Sequence, residues 1–243
     1  MYDRRIEVKT GRAGRALRID GTFASFYAPG SALAGPVWDA LVAPLAWLPP
    51  ARRKRVLILG LGGGSAARVV RALAPRARIV GVEMSRDVVR AARRHLGLGE
   101  LGVEVVVADA LAYLQGARGR FDAVLEDVFV GRGRRVRKPD WLPDPGLALA
   151  ARRVAPGGLL VTNSLDEFQV SAAVLSTIFP ARVCIAIDGW DNRILVAGPR
   201  ALSAKQLRAA LAADPLLAPT LPRLALRTLP SAGATRAGSR APR

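Results

Sequence analysis

VLILGLGGGSAARVV, residues 56–70, decides the fold of this chain. An apolar run from Val56 to Leu59 gives way to Gly60, Gly62, Gly63 and Gly64, and then Ala66, Ala67, Val69 and Val70 recur at helical spacing. A short apolar run bounded by glycines reads as a buried strand, and the period after it reads as a helix. Such a turn presents backbone N–H groups and the positive end of a helix, where anionic or polar ligands settle. Glycines there let the main chain come close to a nucleotide. The dinucleotide pattern G-x-G-x-x-G is met by Gly60 and Gly62 but finds Ser65 in its third glycine position, which weighs against a nicotinamide enzyme.

Downstream, strand and helix patterns alternate. Helical patterns over 66–75, 85–97, 109–117, 145–158 and 167–179 separate strand-like runs over 77–84, 103–110, 121–127, 158–164, 181–187 and 192–198. Ser85 is a candidate N-cap with Gly97 at the far end of its helix, and Pro156-Gly157-Gly158 is read as closing the helix over 145–158. This alternation predicts a doubly wound, mostly parallel, seven-stranded α/β sheet with helices on both faces.

Upstream, RIEVKT (5–10) and RALRID (15–20) are short strands around the turn GRAG, DGTFASFYAPG (20–30) reads as loop, and a helix starts at Pro36. Residues 203–226 read as a terminal helix or helical pair. The expected organisation is a small N-terminal β unit with a linking helix (1–50), a nucleoside-binding domain (51–200), a helical segment (201–230) and a disordered basic tail (231–243).

The chain has 243 residues, 51% of them hydrophobic, enough for a sizeable core. No apolar stretch reaches the ~18–20 uncharged residues of a membrane span. The first ten residues carry no apolar leader core, so a cytoplasmic location is expected. One cysteine, Cys184, and one histidine, His95, leave no disulfide framework and argue against a zinc site. Cys184 lies in an apolar pattern and reads as core, and His95 as a surface residue at a helix end. The net charge of +18 is mostly arginine spread along the chain, with local clusters at 52–55 and 132–138. A nucleic-acid surface is one reading of that charge, and a compositional bias toward Arg and Ala is the favoured one.

Acids mark the ends of the predicted strands. Glu83 closes the second strand, 23 residues after Gly60, where a carboxylate accepts hydrogen bonds from ribose hydroxyls. Asp109 follows the third strand and also fits a helix N-cap. Asp127 follows the fourth, in FDAVLED, and Glu126 beside it points to the opposite face by alternation. In open α/β sheets ligands sit beyond the carboxyl ends of the strands, so these positions fall along one rim.

This series resembles the S-adenosylmethionine-dependent methyltransferase fold and, more narrowly, the spermidine synthase (polyamine aminopropyltransferase) family. The resemblance rests on LRIDGTF, RVLILGLGGGSAARVVR, VGVEMSRDVV, VVVADALAYL, FDAVLEDVF and NRILVAG, and covers residues 15–200. It implies that Gly60, Gly62, Gly63, Gly64, Glu83, Asp109, Ala110 and Asp127 hold S-adenosylmethionine or its decarboxylated form as co-substrate, without a metal. Asp127 is the catalytic candidate, as the residue that takes or orients the proton of an amine nucleophile. A homodimer and a small-molecule acceptor are further expectations of the resemblance.

The chain also departs from the family pattern. Gly63 stands where the family's G-G-G-D-G-G motif has aspartate, Ala24 where it has glutamine, and the Y-H-E stretch has no counterpart near GPVWDALV. The strand-end motif D-[ST]-x-D-P keeps Asp127 and has Val130 in the second acidic position. A site for polyamines needs several carboxylates to offset desolvation of their ammonium groups. Here carboxylates are missing, and the basic run GRGRRVRK (131–138) occupies the loop where the acceptor is expected, with Trp141 beyond it as a candidate cover for the acceptor pocket. Methyl transfer is therefore expected slightly ahead of aminopropyl transfer. The alternatives are a genuine aminopropyltransferase, a nucleic-acid methyltransferase, and a binding-only scaffold.

Overall fold

In the computed structural model, which describes residues 5–230, Val56 and Ile58 enter one hydrophobic layer and Leu57 and Leu59 the other. All four are fully buried, so this strand is covered on both faces, as the short uninterrupted apolar run requires. Each leucine so buried contributes about 2 kcal/mol.

The chain begins with an antiparallel meander of β1 (Ile6–Gly11), β2 (Gly14–Ile19) and β3 (Thr22–Tyr27). α1 (Pro36–Val42), with proline in its first turn, runs into a 3₁₀ segment, Ala43–Trp47. The alternating region follows: β4 (Arg55–Leu59), α2 (Ser65–Leu73), β5 (Arg78–Glu83), α3 (Arg86–His95), β6 (Val103–Val107), α4 (Ala110–Gly116), β7 (Phe121–Glu126), α5 (Gly146–Ala151) and β8 (Val154–Ser164). α6 (Phe168–Ser176), β9 (Ala181–Ile187), β10 (Arg193–Gly198), α7 (Ala204–Ala213) and β11 (Leu224–Thr228) complete it.

The main sheet has the order β11-β9-β10-β8-β7-β4-β5-β6, with β4 to β8 mutually parallel and the pairs β8–β10, β10–β9 and β9–β11 antiparallel. From β4 the chain winds outward to β5 and β6, then crosses back to β7 on the other side. The switch point lies between β4 and β7, where a ligand crevice opens. α1, α2 and α7 cover one face, and α4, α5 and α6 the other. α3 joins the first layer through Val89 and Ala92 and also packs with Leu17 of β2 through Val88.

Several segments differ from the sequence reading. Thr22–Tyr27, read as loop, is a third strand of the N-terminal unit. The main sheet has eight strands rather than seven, because Leu224–Thr228, read within a helical segment, pairs with β9. α5 ends at Ala151, and Pro156–Gly158 lies inside β8, where the register against β7 shifts between Phe121 and Ala123. The proposed basic tail (231–243) lies outside the described residues. Among the described residues no helix is long and apolar enough to cross a membrane.

Candidate functional site

The glycine turn sits at the switch point, and its neighbours explain its composition. Asp127 N–H donates to the Leu59 carbonyl at 2.9 Å, which draws the end of β7 against the end of β4. Gly60 has φ +80°, and a Cβ there would lie 2.5 Å from the Asp127 carbonyl oxygen. At Gly63 the obstacle is β3: a Cβ would meet Ser25 Cβ at 2.7 Å and Leu96 Cδ2 at 2.8 Å. Ser25 Oγ accepts the Gly63 N–H at 2.6 Å, and Ser65 Oγ accepts from Phe26 N and donates to the Phe26 carbonyl. Protein atoms thus already enforce glycine at both positions, and β3 is tied directly to the turn. Gly64, at φ +90°, is the left-handed residue from which α2 starts.

Glu83, at the end of β5 and 7% exposed, bridges the turn to the next helix. One oxygen accepts Gly62 N–H at 3.0 Å and the other Ser85 N–H at 2.9 Å. Ser85 caps α3 as its sequence context predicts, accepting Val88 N–H at 3.3 Å. Asp109 caps α4, its Oδ1 accepting Ala112 N–H at 3.0 Å, and Ala110 is the buried first residue of that helix. The rim is continuous here through Ala108 N–H donating to the Glu83 carbonyl. Gly60, Gly62, Glu83 and Asp127 therefore converge, and Asp109 and Ala110 stand one strand further out.

Asp127 is the most constrained of these side chains. Its Oδ1 accepts Asn163 Nδ2 at 2.8 Å, and its Oδ2 accepts Trp38 Nε1 at 3.2 Å. Asn163, near the end of β8, in turn accepts Asn192 Nδ2 at 3.0 Å. Trp38 is held by α1 and by an edge-on contact with the Phe23 ring, centroids 5.2 Å apart. Burial pushes the Asp127 carboxyl up to about 6, against the opposing pull of the Asn163 and Trp38 donors and of Lys138. Trp38, Asn163 and Asn192 were not singled out from the sequence.

Glu126 points to the other face, as alternation predicts, and is closed off there. Lys138 Nζ donates to both its oxygens at 2.8 and 2.9 Å, Thr162 Oγ1 donates to Oε2, and Val128 N–H to Oε1. Both residues of the ion pair are almost fully buried. Lys138 Nζ also donates to the Val128 carbonyl and stands 4.0 Å from the centre of the Phe129 ring. Lys138 is thus not part of a solvated basic face. Nearby, Arg137 pairs with Asp140 at 2.6 Å and Arg132 with Asp20 at 3.7 Å. Asp39, beside Trp38, is also buried. It accepts Ala34 N–H at 2.8 Å and Gly35 N–H at 3.3 Å, and its carboxyl is pushed up to about 6, chiefly by burial.

Cys184 is a core residue, its thiol raised by burial. His95 ends α3, where its carbonyl accepts from Arg15. Trp141 is half-buried and packs in the layer with α5, its ring against Gly146. No three His, Cys, Asp or Glu side chains among the described residues gather as metal ligands.

Residues 56–158 match the family described as "Methyltransferase domain". The chain is 36% identical over 137 residues to a polyamine aminopropyltransferase of Chromobacterium violaceum, an alignment covering 54% of this chain and 51% of that protein. It is 32% identical over 154 residues to an eEF1A lysine and N-terminal methyltransferase homolog of Drosophila pseudoobscura pseudoobscura, covering 59% and 23%. The chain thus spans about half or less of the length of these curated relatives. Among solved structures it is similar to a probable spermidine synthase of Corynebacterium glutamicum, with TM-score 0.73, 21% identity, and 93% and 89% of the two chains covered. It is also similar to human methyltransferase-like protein 13 in complex with SAH, with TM-score 0.63, 23% identity, and 78% and 93% covered.

Proposed function

We infer that this chain, which carries a methyltransferase domain over residues 56–158 in a fold shared with spermidine synthases and S-adenosylmethionine-dependent methyltransferases, is a sulfonium-dependent group transferase. We propose S-adenosylmethionine as the donor, with methyl transfer to an amine ahead of aminopropyl transfer. The observation that carries the reading is Asp127, a half-buried carboxylate clamped by two donors at the switch point, against the glycine turn.

The donor, when bound, supplies a carbon made electrophilic by positive sulfur, so the chain's task is to hold, align and exclude water. Glu83 is placed to accept from ribose hydroxyls, since a carboxylate offers about four lone-pair sites. Asp109 and Ala110 stand where the adenine would lie, and Gly60, Gly62, Gly63 and Gly64 supply main chain beside the sulfonium. Asp127, with its carboxyl near 6, is charged at neutral pH and basic enough to take or orient an amine proton. Trp38 and Asn163 fix its plane.

The preference for methyl transfer rests on how the carboxylates are committed. Glu126 is neutralised by Lys138, and Asp39 is bound to the Ala34 and Gly35 amides. The space that an aspartate at position 63 would fill is taken by Ser25 and Leu96. Asp127 then stands without the companion acids that a polyamine and the decarboxylated donor's ammonium group demand. Aminopropyl transfer is the second reading, supported by the 36% identity to an aminopropyltransferase.

Calorimetric titration of purified protein with S-adenosylmethionine and with its decarboxylated form separates the two. Tighter binding of the carboxylated donor is expected. Preference for the decarboxylated donor together with putrescine turnover would establish the second reading, and binding of neither would leave a scaffold. A homodimer, proposed from the resemblance alone, is checked by light scattering.

A further inference from the structure

A groove of about 580 Å³ opens on the outer side of α3, between that helix and the sheet-edge strand β6. It is lined by Arg86, Val89, Arg90, Arg93, Arg94 and Val107. The spacing of the arginines explains it. Positions 86, 90 and 93–94 recur at helical intervals, so the side chains form one stripe, while Val88, Val89 and Ala92 turn inward. The stripe runs about 12 Å along the helix at 1.5 Å per residue. That length matches three to four nucleotides of duplex at 3.4 Å each.

Its charge is nearly unopposed. Arg90 pairs with Asp87 at 2.7 Å, and Arg86, Arg93 and Arg94 enter no ion pair among the described residues. All four arginines are exposed. The sequence reading placed the local basic clusters at 52–55 and 132–138. In the second of these Arg132, Arg137 and Lys138 are paired with acids, whereas in the stripe on α3 only Arg90 is. Guanidinium groups form bidentate forks with phosphate oxygens.

We propose that this groove binds the phosphodiester backbone of a nucleic acid, without reading its sequence. Val107 is the exposed apolar lining residue. A protein partner would need aromatic or aliphatic anchors in buried pockets, and a polymer gripped by its phosphates does not. β6 lies three strands from β7 in the sheet, about 14 Å at the usual strand spacing. The groove therefore holds its ligand clear of Asp127, and its assignment does not depend on the transfer reaction.

The test is fluorescence anisotropy with a fluorescein-labelled 16-nucleotide single-stranded RNA, and with the same strand as a duplex. The wild type is compared with an R86Q/R93Q/R94Q variant and with an R120Q/R152Q/R200Q control of equal net charge. The groove variant is expected to lose at least tenfold in affinity at moderate salt. Its log K against log salt slope should fall by about 2 for single strands, at about 0.7 per phosphate contact. The control should stay within twofold of wild type. Equal losses in both variants would make the binding a property of overall charge and overturn the proposal. So would absence of binding at low salt, or displacement of the RNA by a poly-glutamate peptide at equal charge, which would assign the groove to an acidic protein. Should the triple variant melt early, the single R93Q and R94Q variants give the slope change one contact at a time.

Discussion

Trp38 Nε1 lies 3.2 Å from Asp127 Oδ2, a hydrogen bond between residues 89 positions apart that joins α1 to the end of β7. It matters because Asp127 is half-buried, and desolvation drives its carboxyl toward the neutral form. The indole donor opposes that drive and fixes which way the carboxylate faces. A hydrogen bond to a charged group is worth about 1.5–3 kcal/mol, so its loss should raise the Asp127 pKa by about one unit. In Trp38→Phe, the ¹³C NMR titration of the Asp127 carboxyl should move upward from about 6. Any turnover limb that depends on ionised Asp127 should move with it. A titration at the wild-type position would show that Trp38 only packs.

Asp127 and Asp39 make the same unusual contribution to stability. Both carboxyls are pushed up to about 6, so between the unfolded value and 6 the folded chain binds protons that the unfolded chain has released. Stability from these groups is fully present below about pH 4 and is lost as pH rises through about 6. Two units correspond to about 3 kcal/mol per group at most. Urea unfolding of Asp127→Asn at a series of pH values should show a shallower fall across this window than wild type, by an amount of that order. The slope is the readout, because asparagine also turns a donor toward either Trp38 or Asn163. Parallel curves would mean that Asp127 is not held raised in solution.

The parts legible in the sequence were those with a period or a local cap. The apolar run ending at Leu59, the glycines after it, the Ser85 and Asp109 caps and the opposite facing of Glu126 and Asp127 all follow from spacing within a few residues. Thr22–Tyr27 escaped because glycines flank six residues of mixed aromatic and small character, and pairing with β2 rather than local pattern makes it a strand. Leu224–Thr228 escaped for the same reason, being a strand only through β9. The clamp around Asp127 spans separations of 89, 36 and 29 residues through Trp38, Asn163 and Asn192, and no periodicity reports such contacts. Lys138 was hidden among arginines. The one signal in its favour was that Glu126, placed on a buried strand, required a cation.

That pair allows a direct test. Glu126 and Lys138 are 1% and 2% exposed at the side chain, and the carboxylate also takes Thr162 and Val128. Removing one member leaves a buried charge without its partner, at a cost of about 3–5 kcal/mol, whereas removing both is far milder. Lys138→Met should therefore fall steeply in urea unfolding, and Lys138→Met with Glu126→Gln should recover most of the loss. Because Lys138 also anchors the segment after β7 through the Val128 carbonyl, limited proteolysis at 130–137 should accelerate in the single variant. Equal costs in the single and double variants would mean that the pair contributes by packing alone.

Gly63 gives the sharpest test of donor choice. Its backbone is not in the left-handed region, so an L-residue is barred by space: Ser25 Cβ stands 2.7 Å, and Leu96 Cδ2 2.8 Å, from where a Cβ would be. Gly63→Asp should force β3 away from the turn and cost about 1–3 kcal/mol by overpacking, read as a lower urea midpoint. Replacing Ser25 by glycine in the same chain removes two of the three nearest obstacles, and the third is the flexible end of Leu96. The double variant Ser25→Gly/Gly63→Asp should then regain part of the stability. It should also carry a carboxylate beside the turn, positioned to offset an ammonium group there, so calorimetric affinity for decarboxylated S-adenosylmethionine should rise relative to the carboxylated donor by about tenfold, the ~1.4 kcal/mol expected of one charge-assisted hydrogen bond. An unchanged affinity ratio in a stably folded double variant would show that the donor's tail does not lie against position 63.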